Sequence, residues 1–258
     1  MSRIEQAFSK GKAFIAFLTG GDPSIADTER YILEMAAAGA DLIEIGVPFS
    51  DPVAEGPVIE EANLRALKHN TNLDDLFELV KRVRTKIQIP LVFLTYLNPV
   101  FKRGYSKFFN DCAEYGVDGV IIPDMPMEER GEALPFARAA GVDIISLIAP
   151  TSKERARQIA SEATGFIYIV SSMGTTGVRS SIDTDIQSII NEVRSVTNVP
   201  AAVGFGVNTP QQAAELAKIA DGVIVGSAIV RLIAQHGSNA DAYIKEYISD
   251  MSSAAKGL

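Results

Sequence analysis

The sequence predicts an α/β protein, a single-domain (β/α)8 TIM barrel over residues 1–258, and three observations carry that prediction. Eight short apolar, β-branched runs alternate with stretches that can form amphipathic helices. Most of the runs are nearly continuous in apolar character, which marks strands of a parallel sheet covered on both faces. The GxGxxG fingerprint of a doubly wound dinucleotide fold is missing after the first run, where Thr19-Gly20-Gly21-Asp22-Pro23 stands instead.

In chain order, a helix over 3–9 precedes the first strand at 13–19. Asp22-Pro23 then reads as an N-cap with proline at the first helical position, opening the first helix after a strand. The second strand, 41–47, is followed by two helices, at 54–69 and 73–85. The remaining strands fall at 90–96, 118–123, 142–149, 165–171, 199–205 and 221–226, and Thr209-Pro210 repeats the cap-and-proline signal. A template recurs ahead of four strands: Gly39-Ala40-Asp41, Gly116-Val117-Asp118 and Gly141-Val142-Asp143, echoed by Ala220-Asp221. Its glycines suit the residue after a helix, where a left-handed backbone costs no Cβ clash.

Composition narrows the function. Lys and Arg number 24 against 32 Asp and Glu, a net charge of −8, and no basic cluster exceeds Lys81-Arg82-Val83-Arg84. Nucleic acid is therefore not an expected partner, since phosphate neutralisation needs a basic face. No apolar run approaches the roughly 20 residues of a membrane span, and Met1-Ser2-Arg3-Ile4-Glu5-Gln6 lacks the apolar core of a signal peptide. With Cys112 as the single cysteine, no intramolecular disulfide and no CxxC zinc site can form. A cytoplasmic protein without a membrane partner is expected.

Function in such a barrel sits at the C-terminal ends of the strands and in the loops beyond them. In Leu42-Ile43-Glu44-Ile45-Gly46-Val47, Glu44 interrupts an apolar strand and shares a face with Leu42 and Gly46. A carboxylate inside a barrel is costly to ionise, so its pKa rises and it becomes a general acid near neutral pH; the competing role is a structural ion pair lower in the barrel. Asp51 and Glu55 follow on a loop punctuated by Pro and Gly, where residue type alone suggests caps or solvated charges. The loop from Ser171 to Ser181 is rich in Gly, Ser and Thr and suits a lid. After the seventh and eighth strands, Gly206, Gly226 and Ser227 offer backbone amides, and Ser227 opens a helix whose free N–H groups can hold an anion without a lysine. Barrels bind phosphate at these two loops, so a phosphate site is expected. His69 and His236 show no metal-ligand spacing, and no metal is expected.

These stretches together resemble the α subunits of bacterial tryptophan synthase over essentially the whole chain. The likeness rests on Leu42-Ile43-Glu44-Ile45-Gly46-Val47-Pro48-Phe49-Ser50-Asp51-Pro52, with Phe17-Leu18-Thr19-Gly20-Gly21-Asp22-Pro23, Thr95-Tyr96-Leu97-Asn98-Pro99 and Pro123-Asp124-Met125-Pro126 in order. The resemblance implies a lyase of tryptophan biosynthesis that needs no cofactor of its own. It would cleave indole-3-glycerol phosphate to indole and glyceraldehyde 3-phosphate by a retro-aldol step. Indole would pass to a pyridoxal-phosphate-dependent β subunit within an α2β2 heterotetramer. It further implies Glu44 as the catalytic glutamate, Thr176 as a lid threonine, phosphate contacts at Gly177, Gly206, Gly226 and Ser227, and an indole pocket around Phe17, Tyr96, Ile121, Tyr168 and Phe205. Residues 48–56, with Asn98, Pro99 and Asp124, would face the β subunit.

One position departs from the family pattern Asp-Pro-Leu-Ala-Asp-Gly-Pro, whose second aspartate is also catalytic. Here the segment is Asp51-Pro52-Val53-Ala54-Glu55-Gly56-Pro57, so Glu55 is the expected second catalytic carboxylate, one bond of about 1.5 Å longer. Two other readings stay open on the residues: a barrel acting on a different sugar phosphate, and a non-catalytic regulatory subunit.

Overall fold

The computed structural model describes residues 1–149, 152–170, 179–204 and 206–258, with the backbone alone for 179–185. Its strands are β1 (Ala13–Thr19), β2 (Leu42–Gly46), β3 (Leu91–Leu94), β4 (Gly119–Ile121), β5 (Asp143–Ile148), β6 (Ile167–Val170), β7 (Ala201–Gly204) and β8 (Gly222–Val225). They pair in parallel, in sequence order, and β8 returns to β1 to close the barrel. Every strand lies within the stretch expected for it. All but β1 are shorter, because pairing stops where the chain turns away toward a helix.

The helices are α1 (Arg3–Ser9), α2 (Ile25–Ala37), α3 (Pro57–Lys68), α4 (Leu73–Arg84), α5 (Leu97–Arg103), α6 (Tyr105–Tyr115), α7 (Leu134–Ala140), α8 (Lys153–Ser161), α9 (Arg179–Arg194), α10 (Pro210–Ile219), α11 (Ser227–His236) and α12 (Asp241–Lys256). Two expectations about their starts need correction. The helix expected over 54–69 begins only at Pro57, because Gly56 is its N-cap and proline takes the first helical position, leaving Ala54 and Glu55 in the loop. Asp22 does not cap the first helix after a strand: Ser24 does, accepting from the Asp27 N–H at 3.1 Å. The Asp22 carboxylate is engaged elsewhere, gripped by the Arg65 guanidinium through two contacts of 2.8 Å. Thr209 does cap α10, in a box with Gln212.

Period-two alternation divides the core. Ile43, Ile45 and Val47 pack in the layer between strands and helices, while Leu42 joins Ile15, Val92, Ile121, Ile145 and Ala202 inside the barrel. Each large aliphatic side chain so buried contributes roughly 1.5–3 kcal/mol. At the N-terminal end, α1 starts with a Ser2–Glu5 capping box and inserts Ile4 among Ile15, Leu42 and Phe166, plugging the barrel. The opposite end stays open.

The recurring Gly-x-Asp template has a structural cause. Gly116 and Gly141 end α6 and α7 with left-handed φ of 92° and 68°. In three of the four units the aspartate then ties one strand to its neighbour. Asp41 accepts from the Phe14 N–H at 2.8 Å, Asp118 from Leu91 at 2.8 Å and Asp221 from Ala201 at 3.0 Å.

Candidate active site

A cavity of about 530 Å³ opens at the C-terminal mouth of the barrel, within the size range of small-molecule sites. The strand ends supply its floor: Phe17 of β1, Glu44 of β2, Leu94 of β3, Tyr168 of β6 and Ile224 of β8. Phe17 and Glu44 stand opposite each other in the β1–β2 ladder. The ring of Phe17 fits there because its neighbours are glycines: a Cβ on Gly46 would lie 2.8 Å from Phe17 Cζ. Tyr168 likewise crosses Gly204, where a Cβ would come within 2.7 Å of its hydroxyl.

Glu44 is 1% exposed, and among the described residues its Oε1 has no hydrogen-bond partner. Burial pushes its carboxyl up to about 8, so it stands protonated at neutral pH. Among the described residues Glu44 forms no ion pair. Burial, and then the nearby Glu44, also push the Tyr168 hydroxyl up.

Glu55 lines the same cavity from the loop between β2 and α3. Burial raises its pKa, and contacts with Asn63 and Tyr96 pull it back toward the ionised form. Asn63 Nδ2 donates to Glu55 Oε2 at 3.0 Å. Tyr96 stacks on Phe49 at 5.0 Å between ring centroids, and its hydroxyl accepts from the N–H groups of Val53 and Ala54, each at 3.1 Å. Burial drives that hydroxyl up to about 12.

The far wall combines Gly206, Val207 and Asn208 after β7 with Gly226 and Ser227 after β8. Gly206 has φ of 81°, a conformation that favours glycine. Gly226 is the N-cap of α11 and brings no side chain to its first-turn N–H groups, unlike the Thr209 cap of α10. Those amides remain available to an anion. A neutral buried acid beside flat apolar walls, facing a cluster of backbone amides, can protonate an apolar ring system tethered by a phosphate.

Of the residues singled out from the sequence, Phe17, Glu44, Glu55, Tyr168, Gly206, Gly226 and Ser227 line this one cavity. Tyr96 does not; it holds the loop that carries Glu55. Ile121 sits deeper, fully buried in the barrel interior. Thr176, Gly177 and Phe205 lie outside the described residues. Sequence reasoning missed Arg231 and Asn63. Arg231 lies four residues after Ser227 and therefore on the same side of α11, bringing a cation to the rim. Asn63 is a lone polar residue within the buried stripe Ala62, Asn63, Ala66 of α3.

The family model described as tryptophan synthase alpha chain matches residues 4–256 of the chain. The tryptophan synthase alpha chain of Lactiplantibacillus plantarum is 48% identical over 258 residues, covering 100% of this chain and 97% of that one. The crystal structure of tryptophan synthase subunit alpha from Legionella pneumophila superposes with a TM-score of 0.91 at 33% identity, covering 100% of both chains. A chain from the tryptophan synthase α2β2 complex of Pyrococcus furiosus gives 0.87 at 35% identity, covering 93% of this chain and 98% of that one.

Proposed function

The chain belongs to the tryptophan synthase alpha chain family, and on that premise we propose how its cavity carries out the family's reaction. The enzyme is a lyase of tryptophan biosynthesis that cleaves indole-3-glycerol phosphate to indole and glyceraldehyde 3-phosphate, and it works with a β subunit in the tryptophan synthase complex. This membership sets aside the alternatives of another sugar phosphate and of a non-catalytic subunit.

Breaking the bond between indole C3 and the glycerol chain makes three demands: a proton at C3, stabilisation of the positive charge this places on the indole nitrogen, and removal of the proton from the adjacent hydroxyl. Glu44, neutral on its rigid strand, gives its proton to C3. Glu55, kept toward the ionised state by Asn63 and Tyr96, accepts the indole N–H and stabilises the protonated ring. The Glu44 carboxylate then takes the hydroxyl proton as the C3–carbon bond breaks. The bonding pair returns to the ring, the aldehyde forms, and Glu44 ends protonated as it began. Phe17 and Tyr168 supply flat walls for the indole. The amides of Gly206, Gly226 and Ser227, with Gly177, take the phosphate, and Thr176 belongs to the lid.

The observation that carries this assignment is the burial of Glu44 in the lining of the cavity, with no partner for its Oε1 among the described residues. Glu44→Gln keeps the shape and removes the acid proton. Turnover is expected to fall by about 10²–10⁴-fold while glycerol 3-phosphate still binds. Near-normal turnover in that variant would assign the acid elsewhere.

The loop over 47–56 is held from beneath by Tyr96 and leaves Val53 78% exposed, and α5 leaves Phe101 in solvent. This side, with Asn98, Pro99 and Asp124, is the proposed face toward the β subunit. The Asp124 carboxylate accepts from the Leu97 N–H at 2.8 Å, coupling the loop after β4 to the start of α5. Residues 1–258 form one domain in this proposal, supported by the closure of β8 onto β1. Cytoplasmic residence is also inferred, supported by the single, buried Cys112. Among the described residues no helix is long and apolar enough to cross a membrane.

A further inference from the structure

A polar side chain in the apolar stripe of a helix calls for a partner, and in α3 that partner is the carboxylate of Glu55. Asn63 is 3% exposed, and its Nδ2 lies 3.0 Å from Glu55 Oε2. The helix under it is fixed. Two residues on, Arg65 forks onto Asp22, itself 1% exposed, and so locks α3 to the turn after β1. Glu55 has less rigid support, a loop held by the Tyr96 hydroxyl at Val53 and Ala54. It sits on a loop, and its side chain has three torsions that must be ordered before its carboxyl can meet a substrate atom.

We propose that Asn63 is a positioning residue for the lyase reaction, its amide pinning Oε2 of Glu55 so that Oε1 is left for the indole N–H. The proposal rests on the assignment of Glu55 to that N–H. Asn63 also biases the protonation of its partner. A donor to a carboxylate favours the ionised form, and here it opposes burial. The other groups bearing on Glu55 are the Tyr96 hydroxyl, which also favours ionisation, and the carboxylate of Glu60 on α3, which disfavours it. Glu44, Tyr168 and Arg231 complete the ionisable lining of the cavity. Because Glu55 must be ionised to stabilise the protonated indole, activity is lost as pH falls through its pKa. Removing the Asn63 donor raises that pKa and moves the acid limb to higher pH.

The test uses the full chain with indole-3-glycerol phosphate as substrate and compares Asn63→Leu, Asn63→Asp, Glu55→Ala and the double variant Asn63→Leu/Glu55→Ala. Asn63→Leu is expected to lower kcat about ten- to a hundredfold, the scale of a misplaced catalytic group. The acid limb of its kcat profile should shift upward, with glycerol 3-phosphate affinity unchanged. Asn63→Asp, which sets a second carboxyl against Glu55, should shift that limb further. In the Glu55→Ala background Asn63→Leu should add nothing, because the two side chains act as one unit. An unchanged kcat and acid limb in Asn63→Leu, beside a large loss in Glu55→Ala, overturns the role of Asn63 and leaves Glu55 standing. An equal loss from Asn63→Leu with and without Glu55 reduces Asn63 to a packing residue. Full activity in Glu55→Ala removes the assignment of Glu55 and the role of Asn63 with it. If Asn63→Leu loses glycerol 3-phosphate binding as well, Asn63→Asp, equal in shape, is judged by the same limb shift.

Discussion

Replacing Glu44 by glutamine is expected to cut turnover sharply and to raise stability relative to the parent by an amount that grows with pH. The Glu44 carboxyl titrates near 8 in the folded barrel against an ordinary 4.5, with burial as the cause. Below pH 4.5 it is protonated in both folded and unfolded chains and contributes no pH-dependent difference. Between 4.5 and 8 the unfolded chain releases the proton and the folded one keeps it, so folding loses stability as pH rises. Above 8 the loss is complete. At about 1.4 kcal/mol per pH unit, the cost is about 3 kcal/mol at pH 7 and about 5 kcal/mol above pH 8. The isosteric amide escapes this cost. Its own burial adds a term of either sign, but one that does not vary with pH. For a chain of this size 1 kcal/mol moves Tm by roughly 2–4 °C, so the pH-dependent part amounts to about 6–12 °C at pH 7. Thermal melts of both proteins at pH 5, 7 and 8.5 read it directly. The difference between variant and parent must widen across that series. A constant difference would mean that Glu44 ionises normally in the folded state, and the argument for a strand-borne acid would fail.

The same group predicts a falling alkaline limb: lyase activity declines as pH rises through about 8, because Glu44 must carry a proton to donate it. Glu55→Asp keeps a carboxylate on the loop and should leave kcat similar or higher, whereas Glu55→Ala should lower it by about a hundredfold or more, as measured by indole release. Gly206→Val places a side chain where φ is 81° and beside the amide wall; calorimetry should show glycerol 3-phosphate binding weakened about tenfold, and unchanged affinity would move the phosphate elsewhere. Arg65→Met leaves the buried Asp22 carboxylate without its cation and is expected to destabilise the chain by about 3 kcal/mol in urea unfolding. Mixing with the cognate β subunit should give a stable complex on sizing and faster indole release.

The barrel was legible in the sequence because its signals are local and repeated. Strand runs, capping residues and the Gly-x-Asp template each follow from backbone geometry a few residues wide. The aspartates also serve a purpose that local reading did not show, binding an N–H at the start of the preceding strand in three of the four units. Glu44 was legible for a similar reason: period two alone puts it inside the barrel. Tyr96, which the family resemblance places in the indole pocket, is not in the lining of the cavity. Whether a side chain at a strand end turns to the cavity or under a loop depends on what Phe49, Val53 and Ala54 do some forty residues away. Asn63 and Arg231 left traces, a polar break in an apolar stripe and an i+4 spacing from Ser227. Neither trace names a partner until helix and loop are packed together.

Burial raises the pKa of both carboxylates, and what differs between them is the kind of support each has. A strand residue facing the barrel interior cannot move away from its neighbours. Glu44 therefore takes the full desolvation of its place between Phe17 and Val92 in the ladder, and neutrality follows from topology alone. A loop residue can move, and Glu55 is only partly desolvated. Its state is set by donors that the fold brings to it, Asn63 from α3 and Tyr96 from the end of β3. This division also explains how the loop can carry a glutamate. Lengthening the side chain on the strand would push a carboxyl into fixed walls, whereas on the loop an added methylene is absorbed by backbone movement, provided the carboxyl end is held. Asn63 holds that end. On this view the tolerance of position 55 to Asp or Glu depends on the amide at 63, and Glu55→Asp should lose its neutrality once Asn63 is replaced by leucine.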